Sequence, residues 1–260
     1  PAAAPSDQQR SLIAVLQSDA PPERKALACK RLAVVGTKDA VPALAALLAD
    51  ETLACYARYG LETIADPAAD DALREALSRL QGARLAGVIN SIGVRRDAKA
   101  VDGLVKALGD KDADVASAAA IALGHIANPA AAESLLKALP TAPAALRPVV
   151  AEACLMCAEQ RLREGKRDEA AAIAEAVLKA NVSKQVDVAA IRVSVLARQL
   201  AGLPQLVEGL RTPQDKARFG LALRLIREMP GPELTQVLIA ELQKAPPEVQ
   251  TLLIPAAFIL

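Results

Sequence analysis

A single pattern recurs four times in the first half of this 260-residue chain. Each copy reads as the end of an apolar helix, a short turn, and a second helix with leucine in its middle. Anchored on Val35, Ile64, Ile92 and Ile126, the copies lie 29, 28 and 34 residues apart. A period of this length is typical of arrays with one helical hairpin per unit. Because one hairpin cannot bury the apolar stripes of both its helices, the units are expected to stack.

The composition favours helices throughout the chain. Hydrophobic residues make up 53% of it, but Ala and Leu dominate, aromatic residues are only 2%, and Trp is absent. Ala and Leu are strong helix formers because they lose little side-chain entropy in a helix. We therefore predict an all-α fold, an α-solenoid of about eight stacked helical hairpins that approach one another through small side chains.

The regularity of the pattern divides the chain into three stretches. Residues 1–20 carry no repeat, and we predict an N-terminal linker or processed end there. Residues 21–140 hold the regular repeats, and residues 141–260 are predicted to continue the same solenoid with more divergent ones.

The residues between the paired helices are those that end and start helices. Gly36 and Gly93 stand where a left-handed C-cap is expected, a conformation that glycine adopts without steric cost. The dipeptides Asp66–Pro67 and Asn128–Pro129 combine a side chain suited to the N-cap with a proline suited to the first helical turn.

The units resemble HEAT repeats, specifically the short, alanine-rich bacterial type that also occurs in relatives of phycobilisome lyases. The resemblance covers residues 22–140 and rests on Ala119, Ala122, Leu123, Gly124, Ile126, Ala131, Leu135 and Leu136, with the same frame at Leu32, Gly36, Ala40 and Leu44. The stretches that begin at Tyr56 and Ile89 further resemble the HEAT arrays of exported bacterial multidomain proteins. The resemblance implies the solenoid fold and a scaffolding role, and it implies no particular activity.

The second half of the chain continues with looser hairpins. The phrase LREGKRDEAAAIAEAVL resembles a tetratricopeptide hairpin near residues 150–180, without the aromatic residues of that family and with Gly165 at its turn. Further hairpins are predicted from Val186 and from Asp215, and a last helix from Pro247.

The charge balance argues against nucleic acid as a partner. The formal net charge is +1, with 16 basic and 17 acidic residues up to Pro140 and 15 and 13 after it. A dedicated nucleic-acid binder concentrates basic residues, and single-strand binders also need aromatic side chains for stacking.

No apolar run reaches the length of a membrane span. The small-residue start PAAAPSDQQ is typical of a chain from which a secretory signal has been removed, and equally of a piece excised from a longer chain. We predict an exported chain, periplasmic or in the cell envelope, with a cytoplasmic location as the alternative.

The cysteines are the residues of this sequence that most suggest a chemical role, but their spacing does not match a zinc site or a haem-attachment site. Cys154 and Cys157 lack the further Cys or His ligands that zinc needs, and Ala158 stands where a haem-attachment motif has histidine. They fall about two turns into a predicted helix, so we expect buried, inert thiols. Cys29 and Cys55 lie in adjacent first helices but one turn out of register, so we expect no disulfide between them.

No catalytic, cofactor-binding or metal-binding residue is predicted. His125, the only histidine, is expected to be a capping or solvated residue at a helix end. Tyr59 aligns with Ile121, which we take as a core position, so Tyr59 is predicted to pack inside; Tyr56 is predicted to be the more exposed of the two.

Tyr56 and two groups of residues are candidates for partner contact. Arg95, Arg96 and Lys99 form a basic cluster at a hairpin turn, either a solvated loop or an anionic contact. The chain ends in an apolar stretch with Phe258, Ile259 and Leu260, which suggests a longer protein, a partner or an oligomer contact.

These observations favour a non-catalytic protein–protein interaction scaffold, a module of a larger exported protein or assembly. Its partner would be another protein or flanking domains of a longer chain. One alternative is a lyase or chaperone-like enzyme of the phycobilisome-lyase type, suggested only by the repeat style. The other is weak binding of an anionic ligand or nucleic acid.

Overall fold

The computed structural model describes residues 6–229, 231–244, 247, 250 and 251. Over these residues the chain forms fifteen α-helices and three short 3-10 helices, and no strand. The 3-10 helices are Lys38–Ala40, Ala98–Ala100 and Gln199–Gly202. The α-helices are α1 (Asp7–Gln17), α2 (Pro22–Val35), α3 (Val41–Ala45), α4 (Ala54–Thr63), α5 (Pro67–Leu77), α6 (Gly82–Arg95), α7 (Val101–Leu108), α8 (Ala113–Ile126), α9 (Pro129–Ala138), α10 (Arg147–Arg163), α11 (Arg167–Ala180), α12 (Lys184–Arg198), α13 (Leu203–Arg211), α14 (Lys216–Glu228) and α15 (Pro232–Lys244).

The chain divides into two compact units, Pro1–Leu135 (unit 1) and Leu136–Leu260 (unit 2). In unit 1 the first helices of successive hairpins, α2, α4, α6 and α8, pack against one another in chain order. The second helices α3, α5 and α7 pack against the first helices of the following hairpins, α4, α6 and α8. The predicted all-α fold of stacked helical hairpins is confirmed within this unit.

The structure corrects the register of the repeats. Four fully buried residues, Leu32, Leu61, Ile92 and Leu123, hold equivalent places in the first helices. Each lies two or three residues before the last residue of α2, α4, α6 or α8. They lie 29, 31 and 31 residues apart, so the period is more regular than the sequence alignment predicted. Ile92 was aligned one turn out of place because the position equivalent to Val35, Ile64 and Ile126 is occupied by a charged residue, Arg95.

The predicted helix starts are confirmed. Asp66 is the N-cap of α5, and its Oδ1 accepts a hydrogen bond of 2.9 Å from the Ala68 N–H. Asn128 precedes Pro129, the first residue of α9, and its Oδ1 accepts a hydrogen bond of 2.8 Å from the Ala131 N–H. Each side chain satisfies one of the N–H groups that a helix leaves without an internal partner.

The predicted left-handed glycines are wrong. Gly36 has an extended backbone, with φ −71° and ψ 140°, and Gly93 lies inside α6. The left-handed C-caps are Arg96, with φ 53°, and Ala127, with φ 51°. Glycine is needed at position 93 for a different reason: a Cβ atom there would stand 2.9 Å from the Ala122 Cα atom of α8. Gly93 therefore lets the backbones of α6 and α8 approach closely.

A helix occupies much of the stretch predicted to be an N-terminal linker. Helix α1 packs against α2 and α3 and buries Leu12 and Leu16. Gln9 is fully buried: its Nε2 donates to the Thr37 Oγ1 at 2.9 Å, and its Oε1 accepts from the Thr37 N–H at 3.0 Å. The leucines are four residues apart, which places both on one face of a helix.

In unit 2 the helices follow one another as the pairs α10–α11, α12–α13 and α14–α15, and the first helices α10, α12 and α14 pack against one another in chain order. Gly165 makes the turn between α10 and α11 with φ 76°, as predicted. Of the predicted last helix, only residues 247, 250 and 251 are described, and they are helical. In the described part of the chain, every helix is too short or too polar to cross a membrane.

Replacing Gly93 with Ala should destabilise unit 1, although Ala is the better helix former by about 0.5–1 kcal/mol. The new methyl group meets the backbone of α8, which cannot move aside, and overpacking of this kind costs about 1–3 kcal/mol. Urea denaturation monitored by circular dichroism measures the change.

Gly220 in α14 is the matched control. Among the residues that the structure describes, no atom outside the backbone of its own helix turn lies within 4 Å of the Cβ atom that Gly220→Ala would add. Gly220→Ala is expected to stabilise the chain by about 0.5–1 kcal/mol. Equal stabilisation by both substitutions would contradict the close approach of α6 and α8.

Candidate functional site

The first helices of unit 1 expose a surface that carries few charges. In the corrected register, two exposed positions recur on each of these helices, one turn apart. We call these eight residues the outer face: Lys30, Val34, Tyr59, Thr63, Asn90, Val94, Ile121 and His125. Lys30 is the only lysine, arginine or carboxylate residue among them.

The outer face concentrates the exposed apolar side chains of unit 1. Exposure is 84% for Val34, 53% for Tyr59, 61% for Val94 and 40% for Ile121, so each first helix presents one large apolar side chain to solvent. Elsewhere in the described part of unit 1 only Leu27, one turn before Lys30 on α2, and Val105 on α7 are large, apolar and comparably exposed. Clustered exposed apolar side chains are typical of interaction sites.

The prediction that Tyr59 packs inside is wrong. Its alignment with Ile121 is correct, but Ile121 is itself an exposed position, so both residues belong to the outer face. Tyr56 is the less exposed of the two tyrosines, contrary to the prediction. Its ring is half-buried, and the Lys30 Nζ lies 5.1 Å from the ring centroid, a cation–π contact that holds the charge at the edge of the face.

His125 lies in the last turn of α8 and is exposed, in agreement with the prediction of a solvated residue. Its position on the outer face was not predicted. The signal was present in the sequence, since His125 falls four residues after Ile121 and therefore on the same side of the helix.

Arg95 is not part of a solvated basic cluster, and that prediction is wrong for this residue. Its side chain is only 10% exposed and reaches back to the end of α4. The Nη1 donates to the carbonyl oxygens of Leu61 at 2.9 Å and Ile64 at 2.7 Å, and the Nη2 pairs with the Asp70 Oδ2 at 3.0 Å. The last carbonyl groups of a helix have no partner within it, so Arg95 caps α4 from the next hairpin.

Arg96 and Lys99, the other members of the predicted cluster, are exposed. Lys99 borders a cleft of about 410 Å³ between α5 and α7, together with Lys106 and the apolar side chains of Leu77 and Leu85. A partner contact at Arg96 or Lys99 stays a prediction. Phe258, Ile259 and Leu260 lie outside the described residues.

Residues 82–155 match a family model described as HEAT repeats. The matched segment runs from the first residue of α6 into α10 and includes Arg95 and half of the outer face. This segment of the chain contains HEAT repeats, and the resemblance noted in the sequence is thereby confirmed for it.

Several solved structures are similar to this chain, at low identity. An engineered protein from a structural genomics consortium is 21% identical, with 74% of this chain and 97% of that chain covered and a TM-score of 0.43. The complex of CpcE and CpcF of phycocyanin lyase from Nostoc sp. PCC7120 is 20% identical, with 100% and 98% covered and a TM-score of 0.40. At these values the likeness carries no inference about activity. No curated protein matches the chain significantly.

The four cysteines of the chain are free thiols. Cys154 and Cys157 are fully buried in α10, as predicted, and burial raises their pKa values to about 12 and about 11. Burial likewise raises the pKa of Cys29 to about 11, whereas Cys55 is exposed. Because the thiolate is the reactive form, the three buried thiols are inert at neutral pH. Among the residues that the structure describes, no cluster of three or more His, Cys, Asp or Glu side chains is arranged to hold a metal.

Replacing Arg95 with Met removes the cap of α4 but keeps the aliphatic part of the side chain. The Asp70 carboxylate and several carbonyl groups then lose a largely buried partner, so the loss of unfolding free energy should be about 2–4 kcal/mol. Urea denaturation measures it.

Arg84→Met is the matched control. Arg84 lies on α6, like Arg95, but it pairs with Glu51 at the surface, where both side chains are well exposed. An exposed pair contributes about 0–1 kcal/mol, so Arg84→Met should change little. Similar effects of the two substitutions would show that Arg95 is an ordinary surface residue.

A thiol-reactive chromophore at neutral pH should modify Cys55 quickly and the three buried cysteines only after denaturant is added. Cys55→Ser should abolish the rapid reaction and leave the slow one. Rapid modification of Cys154 or Cys157 in the native chain, located by peptide mass spectrometry, would contradict the assignment of these thiols to the core.

Proposed function

We propose that the chain is a non-catalytic scaffold that binds a partner protein through the outer face of unit 1. The observation that carries the proposal is the exposure of one large apolar side chain on each of four consecutive first helices: Val34, Tyr59, Val94 and Ile121. Burying apolar surface stabilises a protein or a complex by about 25 cal/mol for each Å² removed from solvent, and these side chains do not gain that free energy in the isolated chain. A partner that covers the face recovers this free energy, and HEAT repeats are in general protein-interaction modules.

The spacing of the four side chains suits an amphipathic helix of the partner. Packed helices have axes about 8–10 Å apart, so the apolar side chains recur at about that interval across the unit. Seven residues of a partner helix rise about 10.5 Å. A partner helix of roughly 20 residues that lies across α2, α4, α6 and α8 would therefore place one apolar residue on each repeat.

The charge of the outer face supports an apolar contact rather than an ionic one. Lys30 is already held over the Tyr56 ring, and the remaining outer-face positions lack permanently charged side chains. Binding should consequently depend weakly on salt. The nucleic-acid alternative predicts the opposite, a steep fall of affinity as the salt concentration rises.

The lyase alternative rests on the style of the repeats alone. Incubation with a bilin pigment and an acceptor protein would favour it if covalent colour developed. Location outside the cytoplasm, and membership of a larger protein or assembly, stay proposals from the sequence.

A charge placed on the outer face should abolish partner binding. Val94→Glu puts a carboxylate among the four apolar side chains, and we expect at least a tenfold loss of the stoichiometric partner recovered from an extract of the source organism. The recovery by the unmodified chain should be nearly equal at low and at moderate salt.

Val105→Glu makes the same chemical change at an exposed valine of α7, away from the outer face, and should leave recovery intact. Circular dichroism and thermal midpoints confirm that both variants fold. The proposal fails if no partner is recovered in stoichiometric amount, or if Val94→Glu and Val105→Glu behave alike.

A further inference from the structure

Unit 2 contains a cavity of about 200 Å³ that is lined by residues of the second helices α11 and α13 and of the first helices α12 and α14. Helices α11 and α13 both pack against α12, which contributes Ile191 to the lining. The rest of the apolar lining comes from Leu178 of α11, Leu206 of α13, and Leu221, Ala222 and Leu225 of α14, whereas Gln205, Glu208 and Arg218 contribute polar surface. The cavity therefore has a mixed lining to which all four helices contribute apolar side chains.

A glycine sets the shape of this cavity. A Cβ atom at Gly209 in α13 would stand 3.1 Å from the Arg218 carbonyl oxygen and 3.2 Å from the Ala222 Cβ. Helices α13 and α14 therefore approach closely at Gly209, which lines the cavity, and no side chain from this position fills it.

The charged groups near the cavity balance one another. Arg218 lies 4.0 Å from the Glu208 carboxylate and 3.8 Å from the Asp215 carboxylate, and Asp215 also pairs with the Lys184 Nζ at 3.0 Å. Two cations and two carboxylates leave no net charge at this site. An uncharged ligand is therefore favoured over an anion or a cation.

One polar group of the lining lacks a partner. The side-chain oxygen of Gln205 is buried and accepts no hydrogen bond from the described residues. A buried acceptor left without a donor carries a free-energy penalty. The terminal torsion of glutamine is broad, so rotation of the amide can turn the oxygen toward a donor inside the cavity.

The volume limits the ligand to a small ring system. A cavity of about 150 Å³ lined by Leu, Ile and Phe is large enough for benzene. The cavity in unit 2 is somewhat larger, and its lining combines apolar side chains with Gln205 and the charged residues Glu208 and Arg218. A bicyclic ring such as indole is of the matching size.

We propose that the cavity in unit 2 binds an uncharged aromatic ring that carries one N–H or O–H donor, as in an indole or a phenol. The apolar lining buries the ring, and the Gln205 oxygen accepts the hydrogen bond. The ring belongs either to a free small molecule or to a tryptophan or tyrosine side chain of another protein. The site is independent of the outer face and of the function proposed for it.

Fluorescence titration of indole with the full chain tests the proposal directly. The chain has no Trp, so emission excited beyond the tyrosine band comes from the ligand alone. We expect a saturable blue shift of the emission with one site per chain. Absence of saturable binding would overturn the proposal.

Two substitutions locate the site. Leu178→Phe enlarges a half-buried lining residue and should weaken indole binding at least tenfold. Leu200→Phe makes the same change at an exposed position of unit 2 outside the lining and should have no effect. Circular dichroism verifies folding of both, and equal binding by Leu178→Phe and the unmodified chain would overturn the assignment.

A third substitution tests the hydrogen bond. Gln205→Leu should weaken indole about 2- to 12-fold, the range expected for one neutral hydrogen bond, and should leave 1-methylindole, which has no N–H donor, unchanged. An equal effect on the two ligands would overturn the role of Gln205. Tighter binding of a tryptophan-containing peptide than of free indole identifies a protein side chain as the source, and the reverse order identifies a small molecule.

Discussion

The direct packing of one first helix on the next is the constraint on which the rest of unit 1 depends. Gly93 against Ala122 brings the backbones of α6 and α8 together, and Gly87 leaves room for the Arg58 guanidinium, which donates to the Gly87 carbonyl oxygen at 2.9 Å. Large side chains at these positions would hold the helices apart. Since the interface is filled by small residues, the larger apolar side chains of the same helices either enter the core or lie on the outer face.

Close helix packing creates a second requirement, because the carbonyl groups at a helix end must still find donors. In unit 1 the requirement at the end of α4 is met by Arg95, from the position that holds Val or Ile in the neighbouring repeats. Burying a guanidinium is unfavourable unless it is fully paired, and here Asp70 supplies the charge while the carbonyls of α4 take the remaining donors. One charged residue thus joins two repeats where an apolar residue would only fill space.

The fold was largely predictable from the sequence, because helix propensity, the caps Asp66 and Asn128, and the recurring leucines all indicate the same stacked hairpins. The outer face was not. The alignment paired Tyr59 with Ile121 correctly, but an isoleucine in a helix of a repeat protein was taken as core, and only the packed neighbours decide which side of a helix is buried. Arg95 was predicted to be solvated because its partners could not be recognised in the sequence. They include backbone carbonyl groups of the preceding repeat, and every residue type has a carbonyl group.

The same use of small residues explains why the two candidate binding features differ in kind. Where a glycine lets two first helices approach, as at Gly93, the first helices pack without a gap between them. Their apolar side chains then lie on the outer face, which suits a broad contact with another helix. At Gly209 the second helix α13 approaches α14 beside a cavity with apolar side chains in its lining, which suits a single ring. Stacked helical hairpins can in this way present either a surface or a cavity, depending on which helix of the hairpin carries the glycine.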